Sequence, residues 1–168
     1  SSKYLKIQLY CCIRGGGDNK DILFPSLNLN IFRLLMKTVL LTGASGFVGS
    51  HVLRHILATT DWNVVCLVSF RHRGLTDRIR LAVSGYDEDF NRVKVIKHDL
   101  TAPISPVLSH EIGKIDYVLN VASESHVDRS IEEPVPFIEN NVSLVCNMLE
   151  WARFSDIDKF LHVSTDEV

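Results

Sequence analysis

With 168 residues the chain has room for one domain, and a core of that size can fold alone. Its 46% hydrophobic and 23% charged content is that of an ordinary globular protein, not of a disordered one. A net charge of -2 gives no basic footprint for nucleic acid, and no apolar run approaches the ~18 residues of a membrane span, so neither partner is expected. The four cysteines, Cys11, Cys12, Cys66 and Cys146, form no Cys-x-x-Cys pair. Cys66 and Cys146 sit in apolar runs and read as small buried hydrophobes. The setting expected is therefore reducing and cytoplasmic, with no metal site.

Residues 1–35 differ from the rest of the chain. They hold Gly15-Gly16-Gly17, a polar Asp18-Asn19-Lys20-Asp21 cluster, and no sustained helical or strand period. Asp18, Asp21 and the lack of an Arg- and Ser-rich amphipathic pattern speak against a targeting peptide. The expectation is that Met36, the first methionine, is the true start, with 1–35 upstream sequence or a disordered extension.

From Met36 onward a rhythm appears. Val39-Leu40-Leu41 is a short apolar run ended by Thr42-Gly43, the pattern of a strand covered on both faces. Phe47, Val48, Val52, Leu53, Ile56 and Leu57 recur three and four apart and predict an amphipathic helix over 47–59. A second strand is expected over 64–68, a short helix over 78–83, a third strand over 93–97 and a fourth over 115–121. After Pro134 a helix is expected with Phe137, Ile138, Val142, Val145, Met148, Leu149 and Ala152 on one face. A fifth strand comes next, over 160–163. Strands alternating with helices imply βαβ units, and so an α/β, doubly wound parallel sheet of Rossmann type over 36–168. Ligands of such sheets bind beyond the carboxyl ends of the strands.

The first such end carries Thr42-Gly43-Ala44-Ser45-Gly46-Phe47-Val48-Gly49-Ser50. Gly43 would allow a tight turn, Gly46 would let backbone amides approach a pyrophosphate, and Gly49 would let helix and strand pack closely. The helix N-terminus then favours the anion through its unpaired donors and dipole. The Gly-x-x-Gly-x-x-Gly spacing resembles the Thr-Gly-x-x-Gly-[Phe/Tyr]-[Ile/Val]-Gly of extended short-chain dehydrogenases/reductases, which work on nucleotide sugars and similar substrates. That resemblance implies that Gly43, Ser45, Gly46, Phe47, Val48 and Gly49 contact a dinucleotide.

Its identity, NAD or NADP, stays open. NAD-preferring members end the second strand with a carboxylate, but Val68 or Ser69 stands here and no acid appears before Asp77. Arg71 and Arg73 either pair with a 2′-phosphate or form a solvated loop. Asp99-Leu100 matches a family position facing the adenine amino group, and the same Asp also suits a turn before Thr101-Ala102-Pro103. Small Ala122 and Ser123, after Val121 in the same cofactor-binding stretch, would let the chain pass close to the nicotinamide ribose.

The string Glu124-Ser125-His126-Val127-Asp128-Arg129-Ser130-Ile131 closely resembles the active-site floor of dTDP-glucose 4,6-dehydratases. Asn141 matches an asparagine of the next helix that buttresses this substrate-lining region. Ser164-Thr165-Asp166-Glu167-Val168 resembles the same family's Ser-Thr-Asp-Glu-Val-Tyr-Gly, although a helix N-cap with acidic first-turn residues would use the same letters. Carried over, Thr165 hydrogen-bonds the C4 hydroxyl, Asp166 protonates the departing C6 hydroxyl and Glu167 removes the C5 proton. The implied sequence is hydride abstraction at C4, water elimination across C5–C6 and hydride return. The family's Tyr-x-x-x-Lys and its sugar-nucleotide domain are expected beyond Val168, so this polypeptide alone is expected to be inactive, and the longer protein to form homodimers. The alternatives are an epimerase or decarboxylase of the same superfamily and a non-catalytic NAD(P)-binding module.

Overall fold

The apolar run after Met36 forms β1 (Thr38–Thr42), the middle strand of a parallel sheet. The computed structural model describes residues 36–70, 76–87, 90–125 and 127–164. Within them β2 (Asn63–Val68), β3 (Val93–Lys97), β4 (Tyr117–Asn120) and β5 (Lys159–His162) join β1 in the order β3-β2-β1-β4-β5. Leu40 pairs in register with Val65 on one side and Val118 on the other. The strand order runs outward from β1 to β3 and then crosses back to β4. A crevice therefore opens between β1 and β4 at their carboxyl ends, where folds of this order place ligands.

Alternation along the central strands divides the core in two. Val39, Leu41, Val64, Cys66 and Val68 pack with Leu53, Ile56 and Leu57 of helix α1 (Phe47–Thr59) and with Ile79 and Val83 of α2 (Thr76–Val83). Leu40, Val65, Leu67 and Val118 meet Ile112 of α3 (Pro106–Ile112) and Leu144, Met148 and Trp151 of α5 (Pro134–Arg153). A short α4 (Val127–Glu132) precedes α5. Both faces of β1 and β2 are covered, which is why their sequences read as unbroken apolar runs.

Three sequence expectations need adjustment, and the first is Cys146, read as a small buried hydrophobe but exposed on the helix after Pro134. The helix after Pro134 buries Met148 of the expected face and packs Val145 and Ala152 against the same core, adds Leu144 and Trp151 to it, and leaves Ile138, Val142 and Leu149 exposed. Trp151 Nε1 also donates to Ser109 Oγ at 2.9 Å. The fourth strand is shorter than 115–121, because the chain leaves the sheet after Asn120. Helix α3 went unforeseen because seven residues give too little periodicity. Its signal was local: Ser105 caps it, accepting from Leu108 N at 3.2 Å, and Pro106 occupies the first turn.

At the opposite, amino end of the sheet Lys37 bridges Asp116 at 2.8 Å and Asp158 at 2.9 Å, tying β1, β4 and β5 together. Hydrogen bonds to Asp116 and then Asp158 hold the lysine ammonium well above its ordinary pKa. Burial is the largest single influence on Asp116 and pushes its carboxyl up. Hydrogen bonds from Lys37 and from Thr38 N, with the charges of Lys37 and Lys114, outweigh it and leave the pKa lowered.

Candidate functional site

The site starts where β1 ends. Thr42 is fully buried, and its hydroxyl donates to Asn120 Oδ1 at 2.7 Å while accepting from Val121 N and Ala122 N, each at 3.0 Å. One oxygen thus fastens the exit of β4 to the exit of β1. Asn120 is buried too, and its amide meets His162 Nδ1 at 3.2 Å, which brings in β5. Threonine and asparagine in the middle of a sheet are costly unless satisfied, and here both are.

Gly43 comes next with φ +71°, a conformation that a side chain disfavours, and its N–H donates to Leu67 O at 3.3 Å. A Cβ on Gly43 would lie 2.9 Å from Ala122 Cα. A Cβ on Gly49 would lie 2.1 Å from the Gly43 carbonyl oxygen. Turn, helix and β4 exit therefore touch backbone to backbone. Gly46 is the N-cap of α1 and has no side chain to cap it, and no acid stands in the first turn. The first amides of the helix are thereby left for an anion.

Against this turn lies a cleft of about 420 Å³, within the range of small-molecule sites. Gly43, Ser45, Gly46, Phe47, Val48 and Gly49 form one wall. Ser69, Asp99 and Leu100 line it from the ends of β2 and β3, and Val121, Ala122, Ser123, Glu124 and Ser125 from the exit of β4. Asn141 is not part of the lining; it works from behind. Its Oδ1 accepts from Glu124 N at 2.8 Å and its Nδ2 donates to Glu124 O at 2.9 Å, while neighbouring Asn140 faces the cleft. Asp99 makes the turn its sequence allowed. Its Oδ1 accepts from Thr101 N at 3.1 Å and Thr101 Oγ1 at 2.8 Å, making the turn, and the residue still borders the cleft. Arg71, Arg73, His126, Thr165, Asp166 and Glu167 lie outside the described residues. The strand leading to the last three, β5, ends beside Asn120, with Val163 N donating to Asn120 O at 3.0 Å.

Sequence reasoning missed Arg78, His98 and Thr101, which also line the cleft.

A parallel sheet of order 3-2-1-4-5, with a glycine turn and a helix N-terminus at its reversal point, defines a Rossmann-type dinucleotide-binding domain. The profile of the NAD dependent epimerase/dehydratase family matches residues 39–168, and the chain belongs to that family. It is 37% identical over 143 residues to dTDP-glucose 4,6-dehydratase 1 of Escherichia coli, a match covering 77% of this chain and 37% of that protein. It is 36% identical over 130 residues to the low-salt glycan biosynthesis protein Agl12 of Haloferax volcanii, covering 77% and 40%. Among solved structures, DesIV, the dTDP-glucose 4,6-dehydratase of Streptomyces venezuelae with NAD and TYD bound, superposes with a TM-score of 0.67 at 32% identity, covering 78% and 40%. The chain therefore spans 37–40% of the length of these relatives.

Proposed function

We propose that the cleft binds a nicotinamide dinucleotide, NAD or NADP, and that the chain supplies the cofactor-binding part of a nucleotide-sugar 4,6-dehydratase. The backbone-to-backbone packing of Gly43 and Gly49 at the reversal of strand order carries this reading. A side chain at either position would fill or deform the cradle, so the residues present suit a pyrophosphate. The relatives lend support, because two are named dTDP-glucose 4,6-dehydratase and one of those holds NAD.

A bound nicotinamide would supply hydride transfer from sugar C4 and back at C6, and the base for the C4 hydroxyl proton would come from the Tyr-x-x-x-Lys expected beyond Val168. Amides of the first α1 turn hold the pyrophosphate, and Ala122 and Ser123 keep the nicotinamide side of the cleft open. Asn141 fixes the Glu124 backbone at the cleft. Thr165 orients the C4 hydroxyl, Asp166 gives its proton to the departing C6 hydroxyl, and Glu167 takes the proton from C5. Water leaves across C5–C6. One carboxyl must begin protonated and its neighbour ionised for these two roles. The Thr165-Asp166-Glu167 run is what distinguishes this reading from an epimerase or a decarboxylase.

Titration calorimetry of the 168-residue chain with NAD+ and NADP+ tests the cofactor reading, and absence of heat with both dinucleotides overturns it. The same chain incubated with dTDP-glucose is expected to form no 4-keto product. In a polypeptide that adds a Tyr-x-x-x-Lys, Glu167→Gln is expected to abolish exchange of the C5 proton. Unaltered exchange there would refute the role given to Glu167.

A further inference from the structure

The hydrogen bonds at the ends of β1, β4 and β5 leave one arrangement of protons, and it reaches a histidine that the proposed chemistry does not use. The Thr42 hydroxyl accepts from Val121 N and Ala122 N, each at 3.0 Å, which fills both lone pairs of its oxygen. Its single proton therefore goes to Asn120, and the amide atom that receives it at 2.7 Å must be the carbonyl oxygen, Oδ1. Asn120 and His162 are partners in the parallel register of β4 and β5, so their side chains share a face of the sheet. Asn120 is fully buried, and with Oδ1 fixed on Thr42 its Nδ2 is turned toward His162 Nδ1, 3.2 Å away. An amide nitrogen only donates, so Nδ1 has to be the acceptor. An imidazolium carries a proton on both ring nitrogens and offers no acceptor at all. His162 must then be neutral, with its proton on Nε2. The residue is exposed, so water can satisfy that N–H.

We propose that His162 is a positioning residue of the cleft, whose neutral Nε2–H form holds the Asn120 amide in the orientation that serves Thr42. Through the Thr42 hydroxyl it keeps Val121 and Ala122 over the glycine turn, where Ala122 Cα comes within 2.9 Å of the point a Cβ on Gly43 would occupy. Without the imidazole acceptor a buried N–H is stranded, and the Asn120 amide rotates or the exit of β4 shifts to satisfy it. This rests on the dinucleotide reading of the cleft, because Gly43, Val121 and Ala122 are all part of its wall.

Two measurements on the 168-residue chain test it. Long-range nitrogen–proton correlation spectra of the ligand-free chain at about pH 7.5 are expected to show His162 with a bare Nδ1 and a protonated Nε2. The Nδ1–H tautomer, or a ring protonated at both nitrogens, overturns the proposal whatever the cleft binds. The second measurement is calorimetric titration with NAD+ and NADP+ of the unaltered chain and two variants. His162→Asn puts a carbonyl oxygen at the reach of Nδ1 and is expected to bind within about twofold of the unaltered chain. His162→Leu offers no acceptor. It is expected to bind roughly threefold to tenfold more weakly, as when a third to a tenth of the molecules keep the exit of β4 in place. Rescue by asparagine separates loss of the acceptor from loss of the ring, so an asparagine variant as weak as the leucine one overturns the role. If His162→Leu does not fold, His162→Asn decides alone: affinity like that of the unaltered chain supports the role, and a loss of roughly threefold or more refutes it. If the unaltered chain binds neither dinucleotide, the reading of the cleft fails and takes this role with it. If it binds and a folded His162→Leu variant binds as tightly, His162 alone loses its role.

Discussion

Replacing Gly49 with alanine puts one carbon where the structure has no room for it. The new Cβ would lie 2.1 Å from the Gly43 carbonyl oxygen, 2.6 Å from its carbonyl carbon and 3.0 Å from Ala44 Cα. All three are backbone atoms, so no side chain can swing aside. Either the turn or the helix must retreat by roughly 1 Å to restore an ordinary contact. Overpacking of this kind costs about 1–3 kcal/mol, and alanine's better helix propensity returns about 0.5–1 kcal/mol at most. At roughly 2–4 °C per kcal/mol the melting temperature should fall by several degrees. The loss of binding should be larger. A displacement of that size breaks one or two amide–phosphate hydrogen bonds, each worth about 1.5–3 kcal/mol, so dinucleotide affinity should drop roughly tenfold to a hundredfold or more. Gly85→Ala is the control. At φ +79° with nothing within 4 Å, it should cost about 1–2 kcal/mol of stability through backbone strain and leave affinity unchanged. Calorimetry and thermal melts on both variants decide the matter. A Gly49→Ala protein with unaltered affinity would mean that the turn does not touch the dinucleotide.

Three further outcomes are expected from the same contacts. Thr42→Val keeps the shape and removes the oxygen that serves Asn120 Oδ1, Val121 N and Ala122 N, so urea unfolding should show a loss of roughly 2 kcal/mol or more; an unchanged midpoint would count against the network. Because the pKa of folded Asp116 lies below its unfolded value, its stabilising effect is present above about pH 4 and is lost as pH falls through the lowered folded-state value. Urea midpoints of Asp116→Asn should therefore lie below those of the unaltered chain at about pH 7 and converge with them in acid. Burial pushes the Cys66 thiol up to about 12, so peptide mapping after iodoacetamide treatment at about pH 8 should find Cys66 unmodified and exposed Cys146 labelled, with both labelled in urea.

Much of the fold could be read from the chain because the central strands are buried on both faces and the glycine spacing admits few other uses. β1, β2 and β3 fell within a residue of their expected bounds, and α1 spans the expected 47–59. What could not be read has physical causes. The face of α5 was read in part: Met148, Val145 and Ala152 meet the core as expected, but the buried stripe is turned toward Leu144 and Trp151, where the indole bonds to Ser109. Of the site, the glycine turn and the β4 exit were legible as a string. Arg78 was not, because it reaches the cleft from a helix whose place beside the turn is set by the packing of α1 against α2 through residues such as Leu53 and Ile79. Nothing local in Thr76-Asp77-Arg78 announces that contact.

The buried pair Thr42 and Asn120 shows how the fold and the proposed chemistry share parts. A Rossmann sheet needs only apolar side chains at the ends of its central strands, yet two polar ones stand there, both fully buried. Their hydrogen bonds do not extend the sheet. They bend the chain out of β4 so that Val121 and Ala122 pass over Gly43, and they set His162, the last residue of β5, against the same asparagine. The network thus fixes three things at one rim: the glycine turn, the exit of β4 at Val121 and Ala122, and the end of β5 at His162. Apolar replacements for Thr42 or Asn120 would keep the sheet's pairing rules intact while releasing the exit of β4. Stability and positioning of the site should therefore fail together in Thr42→Val, whereas Asp116→Asn, at the far end of the same strands, should weaken the fold and leave dinucleotide affinity unchanged.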